Sequence, residues 1–236
     1  MRTHRRPLSV LIIGAGMSGI CMAIRLKHAG FRSVTILESS NNVGGTWSKN
    51  TYPNAGCDVP SHLYSFSFAP NPGWSQKYAR QPEILDYFRN CAERFGIQSQ
   101  IRFGERVESA EYDAESATWK VKTAHGKELR AAILISAVGQ LNRPHVPDFE
   151  GIDQYEGDAW HSARWNHEFD LTGKTVAVVG NGASAVQLLP TVAKTAKRTI
   201  VFQRTPSWIH PLKNRPYSAF AKWCFANLPL VARVYR

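Results

Sequence analysis

The sequence has few cysteines, and no two of them lie close together. Cys21, Cys57, Cys91 and Cys224 are widely separated, whereas a structural zinc site or a redox-active dithiol normally needs two cysteines within a few positions. We therefore expect no metal site and no disulfide-exchange chemistry. Unpaired thiols suit a reducing compartment, so we expect the protein to be cytoplasmic.

Long apolar runs and dense basic clusters are also absent from the sequence. No stretch approaches the ~20 apolar residues that span a bilayer, so we expect no transmembrane segment. The basic start, MRTHRRPL, has a leader-like composition, but the apolar run after it soon breaks into a glycine-rich turn and suits a first strand better. The net charge of +11 is scattered in ones and twos. An anionic membrane surface or phosphorylated small molecules therefore remain as partners, and we do not expect nucleic acid binding.

A strand and a glycine-rich turn open the chain. LSVLIIGAGMSG predicts a buried strand over Val10–Ile13, then a G-x-G-x-x-G turn formed by Gly14, Gly16 and Gly19, then a helix. A second strand, SVTILE, ends at Glu38, 19 residues after the last glycine. Such a turn lets backbone approach a pyrophosphate at a helix N-terminus, and the acid suits ribose hydroxyls. The pattern predicts a dinucleotide site.

A long aromatic segment without regular periodicity follows this first unit. It contains Gly44-Gly45 and then Thr46-Trp47, a second place where backbone is able to lie close to a ligand. Long structureless segments in compact domains usually cover something, so we interpret this one as a cover over a flavin. The alternative is an Ω-loop that packs around its own aromatic side chains. These are Tyr52, Tyr64, Phe66 and Phe68.

The middle of the chain predicts one helix and a small antiparallel sheet. QPEILDYFRNCAERFG has helical spacing of its apolar residues and ends at a glycine. Three alternating runs follow at Val107–Tyr112, Thr118–Thr123 and Glu128–Ile135, and they predict a β-meander.

A second strand–turn–helix pattern follows a proline-rich connection. KTVAVVGNGASA predicts a strand over Thr175–Val179 and a G-x-G-x-x-A turn that begins at Gly180. The position 24 residues after the first glycine is Glu38 in the first unit and Arg204 in the second. A guanidinium suits a 2′-phosphate, which it binds through two hydrogen bonds. We therefore predict FAD at the first site and NADPH at the second, with a solvated surface role for Arg204 as the alternative.

Motifs between Val10 and Trp208 resemble those of class B flavin monooxygenases, and within that class the Baeyer–Villiger subgroup. They are GAGMSG, VGGTW, YPNAGCDVPSHLYSFSF, WSQKYARQPEILDYF, SAVGQLNRPHVPDFEGI, GNGASAVQ and FQRTPSW. The stretch YEGDAWHSARWN corresponds to the family fingerprint F-x-G-x-x-x-H-x-x-x-W-P. Tyr155 stands for its Phe and Asn166 for its Pro, and the second departure leaves neighbouring oxygenase subgroups open.

The resemblance implies an FAD- and NADPH-dependent monooxygenase. It would insert one oxygen atom of O2 into a ketone through a C4a-peroxyflavin, with oxygenation of a soft N or S atom as an alternative. The family continues past Arg236, so we expect a truncated product or fragment, and a non-catalytic dinucleotide-binding fragment is the third possibility. The partners would be O2 and a small ketone or N/S compound.

We predict an α/β fold with two Rossmann-like units, both incomplete, and a β-meander between them. Residues 1–142 would bind FAD, 143–172 would form a linker with the fingerprint, and 173–236 would bind NADP. We interpret the linker as a hinge, with simple packing as the alternative. The last segment, YSAFAKWCFANLPLVARVYR, predicts a half-buried helix rather than one on a membrane surface.

The resemblance also implies the site residues. Asp58 would lie near the flavin and support its reduction, with capping of the following turn as the alternative, and His161 is the fingerprint residue carried over as catalytic. The expected FAD contacts are Gly14, Gly16, Met17, Ser18, Gly19, Glu38, Gly45, Thr46, Trp47, Asp58, Tyr64 and Val107. The expected NADPH contacts are Gly180, Gly182, Ala183, Ser184, Gln187, Arg204 and Thr205.

Overall fold

The structure, a computed structural model, describes residues 8–236 and contains two compact units. The first unit comprises the chain up to Ser48 together with Leu85–Arg143, and the second comprises Lys49–Ile84 together with Pro144–Arg236. The basic residues 1–7, to which the leader interpretation referred, lie outside the described residues. Among residues 8–236, no helix combines the length and the hydropathy needed to cross a bilayer.

The first unit contains a four-stranded parallel sheet. One of its two inner strands is apolar after Ser9, and Val10, Leu11 and Ile12 are buried, as expected for a strand covered on both faces. The sheet and its helices consist of β1 (Ser9–Ile13), α1 (Met17–His28), β2 (Ser33–Leu37), α2 (Thr46–Lys49), α3 (Gln81–Arg94), β3 (Ile101–Arg102) and a later strand described below. The boundary between the units falls within α3, after Ile84.

A β-meander follows in the chain, and the third predicted run divides into two strands. β4 (Val107–Asp113), β5 (Thr118–Thr123) and β6 (Glu128–Ala131) pair in antiparallel fashion. β7 (Ile133–Ser136) leaves the meander and pairs with β1 in parallel, which completes the sheet order β3-β2-β1-β7. The change of partner occurs at Ala132, whose N–H donates to Ser9 Oγ at 3.2 Å.

The meander and the parallel sheet share one core. Leu11 and Leu37 of the parallel sheet are buried together with Val121 and Ala131 of the meander. The antiparallel strands therefore contribute to the packing of β1 and β2, the two strands that lead into the first glycine turn and to Glu38.

The second unit is built around a parallel strand pair and one helix. Its elements are β8 (Thr175–Val179), α4 (Ala183–Thr195), β9 (Arg198–Phe202), α5 (Ala219–Asn227) and α6 (Pro229–Tyr235). Leu188 and Val192 of α4 form a buried cluster with Leu171, Tyr52 and Ala55. Thus residues 49–84 belong to the second unit, and Tyr52 and Ala55 contribute to its core. The predicted cofactor-binding segments, 1–142 and 173–236 with the linker 143–172, stay a prediction.

The aromatic residues of the long segment pack in two different ways. Phe66 and Phe68 stack on each other, with ring centroids 5.2 Å apart, as the Ω-loop alternative expected. Tyr52 packs on α4 instead of joining them. His62 lies against Phe225 of α5 at a centroid distance of 4.2 Å, so the same segment also holds the C-terminal helices.

Candidate functional site

The first glycine turn needs two of its glycines for steric reasons. Gly14 has a φ of +103°, and its N–H donates to the Leu37 carbonyl at 2.7 Å. A Cβ on Gly14 would lie 2.5 Å from the Ala137 carbonyl oxygen, and one on Gly19 would overlap the Gly14 carbonyl oxygen. These glycines let α1 pack against the turn and against the end of β7.

Gly16 is different, because the protein itself leaves room for a side chain there. Its backbone is extended, with φ −77° and ψ −171°. A Cβ would meet nothing closer than Gly45 Cα at 3.6 Å, an ordinary contact. The space that the absent side chain leaves lies at the N-terminus of α1, where backbone N–H groups have no intrahelical partner. A phosphate group fits such a cradle.

The Gly44-Gly45 pair lies directly against this turn. The Gly44 N–H donates to the Ala15 carbonyl at 2.9 Å, and a Cβ on Gly45 would be 3.0 Å from Gly16 Cα. Helix α2 starts immediately afterwards, with the Trp47 N–H donating to the Gly44 carbonyl at 3.1 Å. The structure thus brings the VGGTW motif, including Thr46 and Trp47, to the first turn.

Glu38 is buried at the end of β2 and bonds to the turn. One carboxylate oxygen accepts a hydrogen bond from the Ala15 N–H at 2.8 Å. The other accepts from the Ser40 N–H and the Ser40 hydroxyl, each at 2.8 Å. The side chain therefore ties the glycine turn to the strand end, while its role toward a ribose stays a prediction.

The residues predicted to contact FAD divide between the two units. Asp58 and Tyr64 lie in the second unit. Asp58 is exposed and follows the buried Cys57. The others lie in the first unit, with Met17 and Ser18 in the first turn of α1 and Val107 at the start of β4.

The second glycine turn repeats the geometry of the first. Gly180 has a φ of +102°, and its N–H donates to the Phe202 carbonyl at 2.8 Å. Gly182 is extended, with φ −69° and ψ −179°, and a Cβ there would meet no atom within 4 Å. Helix α4 begins at Ala183, followed by Ser184. A second open cradle therefore lies at the N-terminus of α4.

Arg204 follows β9 and is exposed. Within residues 8–236 its guanidinium makes no hydrogen bond or ion pair, so all of its donors are available to a ligand. Its neighbours are held: Asn181 Nδ2 donates to the Thr205 carbonyl at 2.8 Å and to Gln203 Oε1 at 3.1 Å. Sequence reasoning missed Asn181, although its place between the two glycines of the turn was a usable signal.

Gln187 of α4 uses its amide to hold the preceding segment of the same unit. Its Oε1 accepts from the Tyr52 hydroxyl at 3.0 Å and from the Gly56 N–H at 3.2 Å. Its Nε2 donates to the Gly56 carbonyl at 2.9 Å. One turn further on, Thr191 Oγ1 accepts from Asn54 Nδ2 at 2.6 Å. The predicted contact of Gln187 with NADP stays a prediction.

The fingerprint stretch packs within the second unit. Trp160 meets the ring of Trp165 edge-on at 5.8 Å, and both lie against the cluster around Leu188. His161 Nδ1 accepts from the Ala163 N–H at 3.0 Å and caps a short 3-10 turn. Asn166 Oδ1 accepts from the backbone N–H two residues on at 3.1 Å, which forms a turn where the fingerprint has proline. These contacts support the packing alternative, and the hinge stays a prediction.

These features define a protein with two dinucleotide-binding folds of the β–turn–α–β type. The chain belongs to the pyridine nucleotide-disulphide oxidoreductase family, whose sequence model matches residues 11–221. All four cysteines are free, and burial raises the pKa of the Cys57 and Cys91 thiols. A raised pKa lowers the fraction of reactive thiolate, so these two thiols are poor candidates for disulfide exchange.

Relatives of the chain include Baeyer–Villiger and FAD-binding monooxygenases. It is 41% identical over 227 residues to a Baeyer–Villiger monooxygenase of Streptomyces coelicolor, a match that covers 96% of the chain and 44% of the relative. It is 39% identical over 231 residues to one of Pseudomonas aeruginosa, with 98% and 44% covered. The resemblance inferred from the motifs is confirmed, and the chain spans less than half the length of these curated relatives.

Solved structures give the same result for the fold. An oxidized steroid monooxygenase bound to NADP matches with a TM-score of 0.87 at 40% identity, over 97% of this chain and 45% of that one. OTEMO in complex with FAD and NADP matches with a TM-score of 0.86 at 36% identity, over 96% and 45%. The predicted α/β fold class with two Rossmann-like units is confirmed.

Proposed function

We propose that the first unit binds FAD and the second binds NADPH, as parts of a monooxygenase that inserts one oxygen atom of O2 into a ketone. The observation that carries the proposal is the pair of open cradles at Gly16 and Gly182, combined with opposite charges at the two strand ends. In neither cradle does the protein need a glycine for its own packing. A bound pyrophosphate would explain why both positions are glycine.

Each side chain has a distinct task in this proposal. The helix N-termini of α1 and α4 bind the two pyrophosphates through their backbone N–H groups. Glu38 positions the first turn, and Arg204 binds the 2′-phosphate that distinguishes NADPH from NADH. FAD, when bound, supplies the hydride acceptor and the oxygen chemistry, while the protein orients the two cofactors. The relatives that are named Baeyer–Villiger monooxygenases are about twice as long as this chain, so turnover by this chain is itself part of the proposal.

One observation favours a second candidate for the reaction. Asn166 replaces the proline of the fingerprint and forms an Asx turn in its place. This departure keeps oxygenation of a soft N or S atom as an alternative to the Baeyer–Villiger reaction. A chain that binds both cofactors without turnover is the remaining possibility.

The purified chain provides the test of cofactor binding and turnover. It should be yellow after reconstitution with FAD and should oxidise NADPH faster when a cyclic or aryl ketone is present. Faster oxidation with a sulfide or an amine, but not with a ketone, would favour the second candidate. A yellow chain that binds NADPH without oxidising it would mean binding alone. A colourless protein that is inert toward NADPH would refute the proposal for this chain.

Arg204→Ala tests the choice of nicotinamide cofactor directly. Hydrogen bonds to charged groups contribute about 1.5–3 kcal/mol, so NADPH affinity should fall about 10- to 150-fold. NADH affinity should be unchanged, because NADH has no 2′-phosphate. Arg198→Ala, which removes an exposed guanidinium from the start of β9, is the matched control. Equal losses for both cofactors in calorimetric titrations would contradict the role of Arg204.

A further inference from the structure

The first unit links its glycine turn to its strand end through the strand-end side chain. The Glu38 carboxylate accepts from the N–H of Ala15, the residue between the first two glycines, at 2.8 Å. An acid performs this task readily, because a carboxylate accepts several hydrogen bonds. The link fixes the position of the strand end relative to the cradle at Gly16.

The second unit cannot use the same link. Arg204 occupies the position that corresponds to Glu38, and a guanidinium has donors only. The Arg204 side chain therefore offers no acceptor to a backbone N–H of the second glycine turn. In this unit the turn supplies the connecting side chain, which is that of Asn181, the residue that corresponds to Ala15.

Asn181 spans the gap with both hydrogens of its amide. Nδ2 donates to the Thr205 carbonyl at 2.8 Å and to Gln203 Oε1 at 3.1 Å. Its two partners are the residues directly before and after Arg204. The chain around Arg204 is thus anchored to the glycine turn, while the guanidinium itself is left exposed and unpaired within the described residues.

We propose that Asn181 is the positioning residue for NADPH specificity in the second unit. It holds residues 203–205 at the cradle, so that the guanidinium of Arg204 meets the 2′-phosphate without first having to order its own loop. Ordering a loop on binding costs affinity, and fixing it beforehand reduces that cost. The proposal rests on the proposed function, in which Arg204 binds the 2′-phosphate.

A merely structural role for Asn181 makes a different prediction. If the side chain only shapes the glycine turn, its loss disturbs the pyrophosphate cradle, which NADPH and NADH share. Both affinities then fall together. If Asn181 acts through Arg204, only the affinity for NADPH falls, because only NADPH carries the group that Arg204 binds.

The test is equilibrium binding of NADPH and NADH to the full chain, which requires no turnover. Asn181→Ala should weaken NADPH binding about tenfold, the change that corresponds to ~1.4 kcal/mol, and leave NADH binding unchanged. Asn181→Leu keeps a similar volume without donors and should behave in the same way. Asn227→Ala is the matched control, since Asn227 also donates from Nδ2 to a carbonyl in this unit, that of Trp223.

A double variant completes the design. Asn181→Ala combined with Arg204→Ala should bind NADPH no more weakly than Arg204→Ala alone, because nothing is left to position. Equal losses of NADPH and NADH, additive losses in the double variant, or no loss in either single variant at Asn181 would overturn the proposal. If the wild-type chain does not prefer NADPH, the proposed role of Arg204 fails first, and the assignment of Asn181 fails with it. Retained NADH binding in each variant shows that it is folded.

Discussion

Replacing Gly16 by alanine should leave the apoprotein folded but weaken FAD binding, whereas Gly19→Ala should destabilise the apoprotein. The two glycines lie three residues apart in one turn, yet their surroundings differ. A Cβ on Gly16 meets only Gly45 Cα at 3.6 Å, and one on Gly19 overlaps the Gly14 carbonyl oxygen, well inside the 3.0 Å that Cβ atoms keep. Of these two glycines, the fold therefore requires only Gly19.

The expected magnitudes for stability follow from these clearances. At Gly16 the extended backbone accepts alanine, and restricting the unfolded chain contributes about 0.4–1 kcal/mol of stability. Alanine is a poorer N-cap than glycine by roughly 0.5–1 kcal/mol, so the two effects nearly cancel. At Gly19 the obstructing atom belongs to the backbone, and overpacking costs about 1–3 kcal/mol. Each kcal/mol lowers the Tm of a chain of this size by about 2–4 °C.

The effect on FAD binding has the opposite pattern. In Gly16→Ala the new methyl group would occupy the space that the proposed function assigns to the pyrophosphate. Overpacking by about 1–3 kcal/mol at that contact corresponds to roughly 5- to 150-fold weaker binding. Gly182→Ala provides the reciprocal control, because it should weaken NADPH binding and leave FAD binding unchanged.

Two measurements on the same samples decide the outcome. Circular dichroism melts without cofactor give the Tm of each variant, and quenching of flavin fluorescence gives its affinity for FAD. If Gly16→Ala binds FAD as tightly as the wild type, the pyrophosphate does not lie at the N-terminus of α1. An unchanged Tm for Gly19→Ala would show that the turn relaxes around a Cβ and that the clearance argument is wrong.

Two further substitutions test the packing of the second unit. Gln187→Ala removes the three hydrogen bonds to Gly56 and Tyr52. It should therefore lower the free energy of unfolding by about 1–3 kcal/mol and speed hydrogen exchange at the Gly56 amide. Gln154→Ala, at an exposed glutamine, is the control. Burial lowers the pKa of His62, so the unfolded state takes up a proton more readily and stability should fall as the pH drops below about 6.5. His62→Phe should remove that part of the slope in denaturant titrations at pH 7.5 and 5.5, and an unchanged slope would contradict it.

The parts of the fold that sequence patterns predicted are those encoded by neighbouring residues. The glycine turns are visible because Gly14 and Gly180 each sit between a β-branched strand and a helix. The charges at the strand ends follow from counting along the chain, since β1 and β2 pair in register from Ser9 and Ser33 onward. Local periodicity and fixed spacing thus sufficed to predict both glycine turns.

Features that depend on distant pairing were not predictable in this way. The third run, Glu128–Ile135, contains no turn residue that would divide it. Its partner nevertheless changes at Ala132 from β5 to β1, and periodicity does not reveal partners. Likewise, the Tyr52 hydroxyl bonds to Gln187, 135 residues away. Nothing in the sequence around either residue indicates that contact.

The grouping of the candidate residues changes how Asp58 should be studied. Asp58 and His161, the two residues predicted to support catalysis, lie in the same unit as Arg204. Gln187 lies on α4, the helix whose N-terminus forms the proposed NADPH cradle. It hydrogen-bonds to Gly56, two residues before Asp58. A substitution at Asp58 therefore acts on a segment that is anchored to that helix. Its effect on NADPH affinity must be measured before any loss of flavin reduction is attributed to the carboxylate.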